Sequence, residues 1–452
     1  MIEEVDGKIR VYPSDWRWSA VIVGYAKFYF FIEKKILESK KDEEKGEYIE
    51  VNRSKVNEQN YLMFAEYHFK NEMHHKIVEE MLEGEEFSEE QIKLVSEKLK
   101  ANSIMKKLFK EIQFTGENVG EILEIIKENK TDIIKQTFTN GKSLYANFCN
   151  ENKLFKERGA SCRIKGYYVD PGRKAKSLAF ARNKSSFVYE DSILFDFIPF
   201  AFSKTREAFF VNNNFSINHL INTNKNDLMI NEENSVRSNL FFKVKDSASF
   251  IDYDVEVIKK DRLVDYFETI FVRKEAIQIF EKIEESTLEV IKRPCNFKKR
   301  ENSQGEWLNV QKEVADSVLN IVKLDNIIEK LLKSYSNHRY LISHLILVNF
   351  KIYSKIYKGG DKMNEKQTAI NEIAEKIKSD FKNKKNKLRA YEKRLISAVT
   401  LKDYDRVQEI LLHLSSNSKV RMEFLLDLFE NFEENKNLAY TFINLIGDKD
   451  NK

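Results

Sequence analysis

The sequence predicts an α+β protein that is predominantly helical, with a mixed α/β N-terminal and central region followed by an all-α C-terminal helical bundle. The 452-residue chain contains only 14 Gly and 4 Pro, so long uninterrupted elements are expected. Apolar residues recur at spacings of three and four residues over much of the chain, which is typical of amphipathic helices. Central segments rich in Phe, Tyr, Val and Ile, bounded by Gly, Pro and Asn, predict strands and loops.

These changes in pattern divide the chain into residues 1–158, 159–304 and 305–452. In the first region, Asp15 or Ser14, following Pro13, can cap a helix running to about Glu38. Its tryptophans, Trp16 and Trp18, predict a buried packing element, because aromatic residues fall on more than one face. The segment "EYIEVNRS" predicts a short strand, and amphipathic helices are predicted over Tyr61–Leu82 and Ser88–Phe109.

The central region predicts strands and loops in "CRIKGYYVDPG", "SSFVYEDSILFDFIPFAF", "EAFFVNNNFSINHLI" and "ASFIDYDVEVI". From about Trp307, apolar residues again recur at helical spacing, and this pattern continues to the end of the chain. It is interrupted at Gly359 and Gly360, which can end one helix, and Asn364 can cap the next.

Positive charge is clustered although the net charge is only +4. Several separate basic segments suggest an extended polyanion, with ordinary solvated faces as the alternative. Residues expected to contact DNA in the central segment are Arg173, Lys174, Lys176, Arg182, Asn183 and Lys184. A second set, for which turn chemistry is the alternative, is Asn212, Asn213 and Asn214. Residues expected to contact the nucleic-acid backbone are Lys298, Lys299, Arg300, Lys382, Lys384, Lys385, Lys387, Arg389, Lys393 and Arg394.

Motifs that would indicate catalysis are weak. "NGKS" ends like a phosphate loop, but Gln136 stands where the first glycine is required. His68, Glu72 and His75 have helical spacing suited to a metal, yet no further ligands lie nearby in sequence. Arg339 and His344 match the Arg-x4-His pattern of HEPN-type ribonucleases, but such a short motif arises readily by chance, and helix packing is the favoured interpretation. We therefore expect a binding protein with no catalytic residues and no cofactor.

The cysteines and the apolar runs set the expected compartment. Cys149, Cys162 and Cys295 are widely spaced, which predicts no disulfide framework and a reducing cytoplasm. The longest apolar run, "SAVIVGYAKFYFFI", is interrupted by Lys27 and is too short to span a bilayer, so no membrane partner is expected.

Two stretches resemble the CRISPR-associated large subunit of type I-B Cascade complexes. The first is "DWRWSAVIVGYAKF", and the second is "SILFDFIPFAFSKTREAFFVNNNFSINHLINTN". Many relatives carry two Cys-x-x-Cys pairs that form a zinc knuckle. Here Lys165 replaces the second cysteine after Cys162, so we expect no metal and a DNA-facing charge at Lys165 instead.

The resemblance implies a non-enzymatic subunit of an RNA-guided complex. Such subunits recognise a protospacer-adjacent motif, aid unwinding and R-loop stabilisation, and support recruitment of a helicase-nuclease. The implied partners are CRISPR RNA, target double-stranded DNA and the other Cascade subunits. Alternatives are a HEPN-type ribonuclease using Arg339 and His344, or a helical protein that binds no nucleic acid.

The resemblance also implies a small subunit made from the C-terminal part of the same gene. The codons of "KGGD" before Met363 can form a ribosome-binding sequence, and Met363 can then initiate translation. The residues that follow it are long enough for a small helical bundle. We therefore predict a second product beginning at Met363.

Overall fold

The structure is a computed structural model. It describes residues 1–5, 7–84, 86–141, 144–149, 154–156, 162–165, 191–205, 207–225, 251–264, 266–298, 304–335, 337–357 and 363–447. The predicted class, α+β and predominantly helical, is confirmed. The chain forms two compact units, which are described separately. The N-terminal unit comprises Met1–Val236 and Val255–Phe271, and the C-terminal unit comprises Arg237–Asp254 and Val272–Lys452.

The described part of the N-terminal unit contains two small sheets. The first sheet has the order β1-β2-β4-β3, from Ile2–Val5, Lys8–Val11, Lys40–Asp42 and Gly46–Val51. The predicted strand in "EYIEVNRS" corresponds to β4. The second sheet has the order β5-β6-β7, from Glu207–Asn212, Val255–Asp261 and Glu268–Val272. In its β5-β6 ladder, Phe210 lies opposite Ile258, and both are buried.

Helices surround these sheets in the N-terminal unit. They are α1 (Trp16–Glu33), α2 (Glu58–His68), α3 (His74–Met81), α4 (Glu89–Leu99), α5 (Ser103–Leu108), α6 (Val119–Glu128), α7 (Lys130–Asn140), α8 (Tyr145–Phe148) and α9 (Ile217–Thr223). Asp15 caps α1 as predicted, accepting from the backbone N–H groups of Arg17 and Trp18. The predicted helix Tyr61–Leu82 is wrong as a single element, because a short 3₁₀ turn separates α2 from α3.

The core of this unit forms where α1 meets a 3₁₀ helix, Ile193–Phe200. Trp16 and Trp18 are buried, as predicted for a packing element. The prediction of strands and loops is wrong for "SILFDFIP", because the segment forms a 3₁₀ helix with Pro199 inside it. Such a short apolar run has no period that separates a strand from a buried helical turn. Helix α1 packs against the segment and approaches it closely at Gly24, and rings of α2 and α7 cover it as well.

A buried ion pair holds the start of this 3₁₀ helix. Asp196 is fully buried and accepts from Arg163 Nη1 at 2.8 Å and from the Tyr145 hydroxyl at 2.8 Å. Arg163 also contacts Asp191. Burial raises the pKa of Asp196, although the Arg163 charge opposes that change. Because a buried charge is costly without partners, this network fixes the chain at the place where the zinc knuckle was considered.

The C-terminal unit is the helical bundle that the periodic pattern predicted. A short pair of strands, β8 (Cys295–Phe297) and β9 (Glu306–Leu308), accompanies it. Its helices are α10 (Lys274–Glu281), α11 (Glu285–Ile291), α12 (Val310–Asn320), α13 (Asp325–Leu332), α14 (Arg339–Ile356), α15 (Met363–Asp380), α16 (Lys385–Thr400), α17 (Tyr404–Ser418), α18 (Phe424–Glu430) and α19 (Phe432–Ile446).

Helix α19 is the central element of the bundle and is buried on most of its faces. Its polar residues have specific partners: Asn349 Nδ2 donates to Asn437 Oδ1 at 2.8 Å, and Lys436 forms ion pairs with Glu329 and Asp325. Each buried polar group is costly if its partner is lost. The packing of α19 against α13 and α14 is therefore specific as well as apolar.

Candidate nucleic-acid interface

Helix α16 and the turn before it carry the predicted C-terminal basic cluster. Phe381 is buried and anchors the turn, and its carbonyl accepts from the Lys384 backbone N–H at 2.8 Å. Leu388, Leu395 and Val399 recur at helical spacing and form the buried face of α16. The remaining surface of the helix is directed to solvent, and the basic residues lie there.

All of the predicted basic residues in this segment are exposed. They are Lys382, Lys384, Lys385, Lys387, Arg389, Lys393 and Arg394. Within the described part of the chain, none of them forms an ion pair with a carboxylate; Lys387 donates only to Asn417 Oδ1, at 3.4 Å. Unpaired cations on a fixed helix retain their full charge for an external polyanion. We call these seven residues the α16 basic face.

The spacing of these cations gives two stripes on the helix. Lys385, Arg389 and Lys393 are four residues apart and follow one side of α16. Lys387 and Arg394 are seven residues apart and follow the other side. The one acidic residue of α16, Glu392, is turned inward and accepts from Arg339. Its negative charge is therefore neutralised within the protein and does not reduce the positive charge of the two stripes.

The first stripe borders a concave surface with a volume of about 640 Å³. Lys333, Arg389 and Lys393 line it, together with the exposed ring of Tyr335. Arg339 and Glu392 also line it and form an ion pair with each other. Burial lowers the pKa of His338 at the same surface, so that this imidazole is neutral at pH 7. We call this concavity the α16 groove. A groove with several cations and an exposed aromatic ring suits a phosphate backbone with its bases.

Arg339 and His344, the proposed ribonuclease pair, are not brought together by the structure. Five residues on a helix place side chains about 140° apart. Arg339 donates to the carbonyl of Asn444 and to Glu392, which joins α14 to the end of α19 and to α16. His344 Nδ1 lies 3.0 Å from the Thr287 hydroxyl, and burial lowers its pKa. Each side chain therefore has a packing role on its own face of α14.

The candidate metal-binding face in the N-terminal unit is also divided. His68 packs against the rings of Phe64 and Phe200, whereas Nε2 of His75 lies 2.9 Å from Glu66. Across the described ranges, no group of three or more His, Cys, Asp or Glu side chains is arranged to hold a metal ion. Cys149, Cys162 and Cys295 are buried and form no disulfide bond among the described residues.

Several predicted contact residues lie outside the described residues: Arg173, Lys174, Lys176, Arg182, Asn183, Lys184, Lys299 and Arg300. Lys298 and Lys165 are described. Lys298 is half-buried, and its carbonyl accepts from the Tyr335 backbone N–H at 2.8 Å. Lys165 Nζ donates to the Ala146 carbonyl at 3.2 Å. Contact of either lysine with nucleic acid stays a prediction.

The Asn-rich segment after β5 has internal partners. Asn212 is buried and donates to Glu256 at 2.7 Å, and Asn213 is fully buried and donates to the Thr223 hydroxyl at 2.9 Å. Asn214 is half-buried and donates to the Pro13 carbonyl. For Asn212 and Asn213 this geometry favours the structural interpretation over base reading. DNA contact by the segment stays a prediction.

Helix α15 begins at Met363, the predicted start of the second product. The expected N-cap, Asn364, therefore falls inside the first turn of the helix and not before it. Gly359 and Gly360 lie outside the described residues. Among the helices that the structure describes, none combines the length and apolar character needed to cross a membrane.

Comparison with known proteins identifies one family. Residues 8–235 and 221–446 match the model of the family described as CRISPR-associated protein Csx8. The two matches together extend over nearly the whole chain. No curated protein and no solved structure matches it.

Proposed function

The chain belongs to the CRISPR-associated protein Csx8 family, and we propose that it acts as the non-catalytic large subunit of an RNA-guided surveillance complex of type I-B. Its proposed partners are CRISPR RNA, target double-stranded DNA, other subunits of the complex and a helicase-nuclease. Its proposed tasks are recognition of the adjacent motif, help in unwinding and stabilisation of the displaced strand. The α16 basic face is the observation that carries the nucleic-acid part of this proposal.

The charge arrangement supports binding along a backbone. The cations of the α16 basic face follow two sides of a 16-residue helix, and Glu392 is neutralised by Arg339. Cations placed along an extended path bind successive phosphates and release counterions, whereas a small anion needs a compact cluster. The α16 groove adds Tyr335, on which a base can stack. These features fit a strand of nucleic acid better than a small phosphate compound.

Salt-dependent binding tests the proposal. We would replace Lys385, Arg389 and Lys393 with Gln and measure the affinity of the full chain for duplex and single-stranded DNA at several salt concentrations. Loss of three phosphate contacts should reduce the slope of log K against log salt by roughly 2–3.

A matched variant removes the same charge elsewhere on the C-terminal unit. Lys282, Lys312 and Lys376 are exposed and lie outside the α16 groove. Their combined replacement with Gln should leave the slope close to that of the wild type. If both triple variants change the slope equally, net charge and not the α16 basic face explains the binding.

The absence of catalysis is part of the proposal and has its own test. Arg339 and His344 are held by different partners, so they do not form an acid-base pair in this arrangement. We expect the purified chain to leave RNA intact in the absence of divalent metal ions. Cleavage that disappears in a His344→Ala variant of normal stability would contradict this expectation.

A further inference from the structure

The N-terminal unit contains a cavity of about 790 Å³ between α1, α2 and α9. Its floor is apolar and buried, from Val23, Phe64 and Phe69. Its rim carries two aromatic rings that are largely in water: Phe30 is 49% exposed and Tyr67 is 63% exposed. A concave apolar site of this volume is typical of small-ligand sites, and exposed aromatic rings at its edge can stack on a flat group.

Positive charge surrounds this cavity. Lys27, Lys70, Lys204 and Lys225 line it, and Glu72 is the one acidic residue of the described lining. Lys70 also forms an ion pair with Glu80, which offsets its charge. Lys27 Nζ donates to the Phe200 carbonyl at 2.9 Å, and Lys204 donates to the His68 carbonyl, so two of the ammonium groups are held in place. An excess of cations beside an apolar floor favours a ligand that joins a flat body to an anionic group.

A polar group without a protein partner lies among these residues. His68 lines the cavity, and its Nε2 is buried with no hydrogen-bond partner among the described residues. Burial lowers the pKa of His68 well below its usual range, and the charges of Lys27 and Lys204 act in the same direction. The imidazole is therefore neutral at pH 7, and each ring nitrogen either donates or accepts depending on the tautomer. A ligand with a hydrogen-bonding edge would satisfy it.

We propose that this cavity holds one unstacked nucleotide of a single-stranded nucleic acid. The base lies against Tyr67 and Phe30, and the phosphate lies towards Lys225. Stacking on an aromatic ring accepts any base, and the lysines supply the charge complement to the phosphate. An apolar peptide segment would also fill the floor, but it would bring no negative charge to the lysines that line the cavity. This site is separate from the α16 groove and does not depend on binding there.

Photocrosslinking of the full chain tests the site directly. The probe is a short single-stranded oligouridylate with one iodouridine, and mass spectrometry identifies the crosslinked peptide. We expect crosslinks to peptides that contain Tyr67 or Phe30. They should persist when Lys385, Arg389 and Lys393 are replaced with Gln, which separates this site from the α16 groove.

Affinity measurements with aromatic variants complete the test. Tyr67→Ala should weaken binding of the oligouridylate about 5- to 100-fold, the loss expected from removing one stacking ring. Tyr67→Phe should retain binding. The salt slope should stay unchanged, because stacking releases no counterions. Tyr266→Ala removes another exposed tyrosine of the same unit and is the control.

The inference is overturned in either of two cases. One is that no crosslink maps to the Phe30 or Tyr67 peptides. The other is that Tyr67→Ala binds the oligouridylate as well as Tyr266→Ala does. Loss of a protein partner by Tyr67→Ala, with oligouridylate binding unchanged, would assign the cavity to a peptide segment instead.

Discussion

A β-carbon added to Gly447 would lie 1.5 Å from Nη2 of Arg339, so the guanidinium fills the space beside this glycine. The same guanidinium donates to the Asn444 carbonyl at 2.5 Å and to the buried carboxylate of Glu392. One cation thus joins the start of α14, the end of α19 and the inner face of α16. The position of the α16 basic face depends on this contact.

Gly447→Ala should therefore displace the Arg339 side chain and separate it from Glu392. We expect a loss of roughly 1–3 kcal/mol in stability, as for other overpacked sites. Hydrogen exchange of peptides from α14, α16 and α19 would show faster opening than in the wild type. Unchanged protection of these peptides would mean that Arg339 can move aside without cost.

A second close approach occurs in the N-terminal unit, at Gly24 of α1. A β-carbon there would lie 2.0 Å from the Phe197 carbonyl oxygen, which is backbone and cannot rotate away. Gly24→Ala should separate α1 from the 3₁₀ helix and cost roughly 3 kcal/mol or more, at the upper end for overpacking. Fluorescence of the buried Trp16 and Trp18 during chemical denaturation would measure the loss.

Gly120 provides the matched control for this substitution. It lies in α6, and a β-carbon added there meets nothing within 4 Å. Because alanine is the better helix former, Gly120→Ala should be neutral or should stabilise the unit by up to about 1 kcal/mol. If both variants have the same stability, α1 and the 3₁₀ helix are far enough apart to accept a β-carbon at Gly24.

The N-terminal unit should also lose stability in acid through Glu66. Burial opposes ionisation of this carboxyl, but His75 Nε2 at 2.9 Å and Lys130 Nζ at 3.1 Å outweigh it and lower its pKa to about 2. Because the carboxyl ionises more readily in the folded protein, its ionisation stabilises the fold at pH values above about 4.3, the pKa of an unfolded glutamate. That contribution is lost as the pH falls from about 4.5 towards 2.

Replacement of Glu66 with Gln isolates this effect. The variant should be less stable than the wild type at pH 6, and the difference should shrink as the pH falls towards 2. Glu124→Gln is the control, since Glu124 is exposed and forms no ion pair among the described residues. A stability difference that does not change with pH would show that Glu66 acts through shape and not through charge.

Much of the helical architecture could be predicted because local signals and burial agree. Asp15 caps α1 as its position after Pro13 indicated, and Ser88 caps α4 with a full capping box. The hairpin of β1 and β2 was missed, although the sequence Asp6-Gly7 between alternating residues is a turn signal. Gly7 indeed has a positive φ of 73°.

The candidate sites were less predictable because they depend on contacts distant in sequence. The basic composition of α16 is visible in the sequence, but the neutralisation of Glu392 by Arg339 across 53 residues is not. Neither Lys333 nor Tyr335 has a local signal that places it beside Arg389. The cavity in the N-terminal unit joins residues of α1, α2 and α9 that are distant in sequence. Of its lining, sequence patterns single out Lys27, as the interruption of an apolar run, and His68 and Glu72, as candidate metal ligands, but no pattern indicates a shared cavity.

Helix α19 bears on the proposed second product that begins at Met363. In the full chain, its Lys436 is buried in ion pairs with Asp325 and Glu329, and its Asn437 accepts from Asn349. All three partners precede Met363, so a separate product would leave these polar groups and the surrounding apolar face uncovered. Such a face is costly in water. We therefore expect the short product to be stable only when another protein covers α19.

Expression of the gene with a C-terminal tag tests both parts of this prediction. An immunoblot should show a short band besides the full chain, and the band should disappear when the Met363 codon is changed to Leu or when the codons of Gly359 and Gly360 are silently recoded. The short product expressed alone should aggregate or be degraded, and co-expression with the remaining subunits of the complex should protect it.

Absence of the band from the unchanged gene, or its survival after both changes, would leave Met363 as the first residue of α15 and nothing more. A short product that is stable and monomeric alone would instead show that α19 repacks without its partners from α13 and α14.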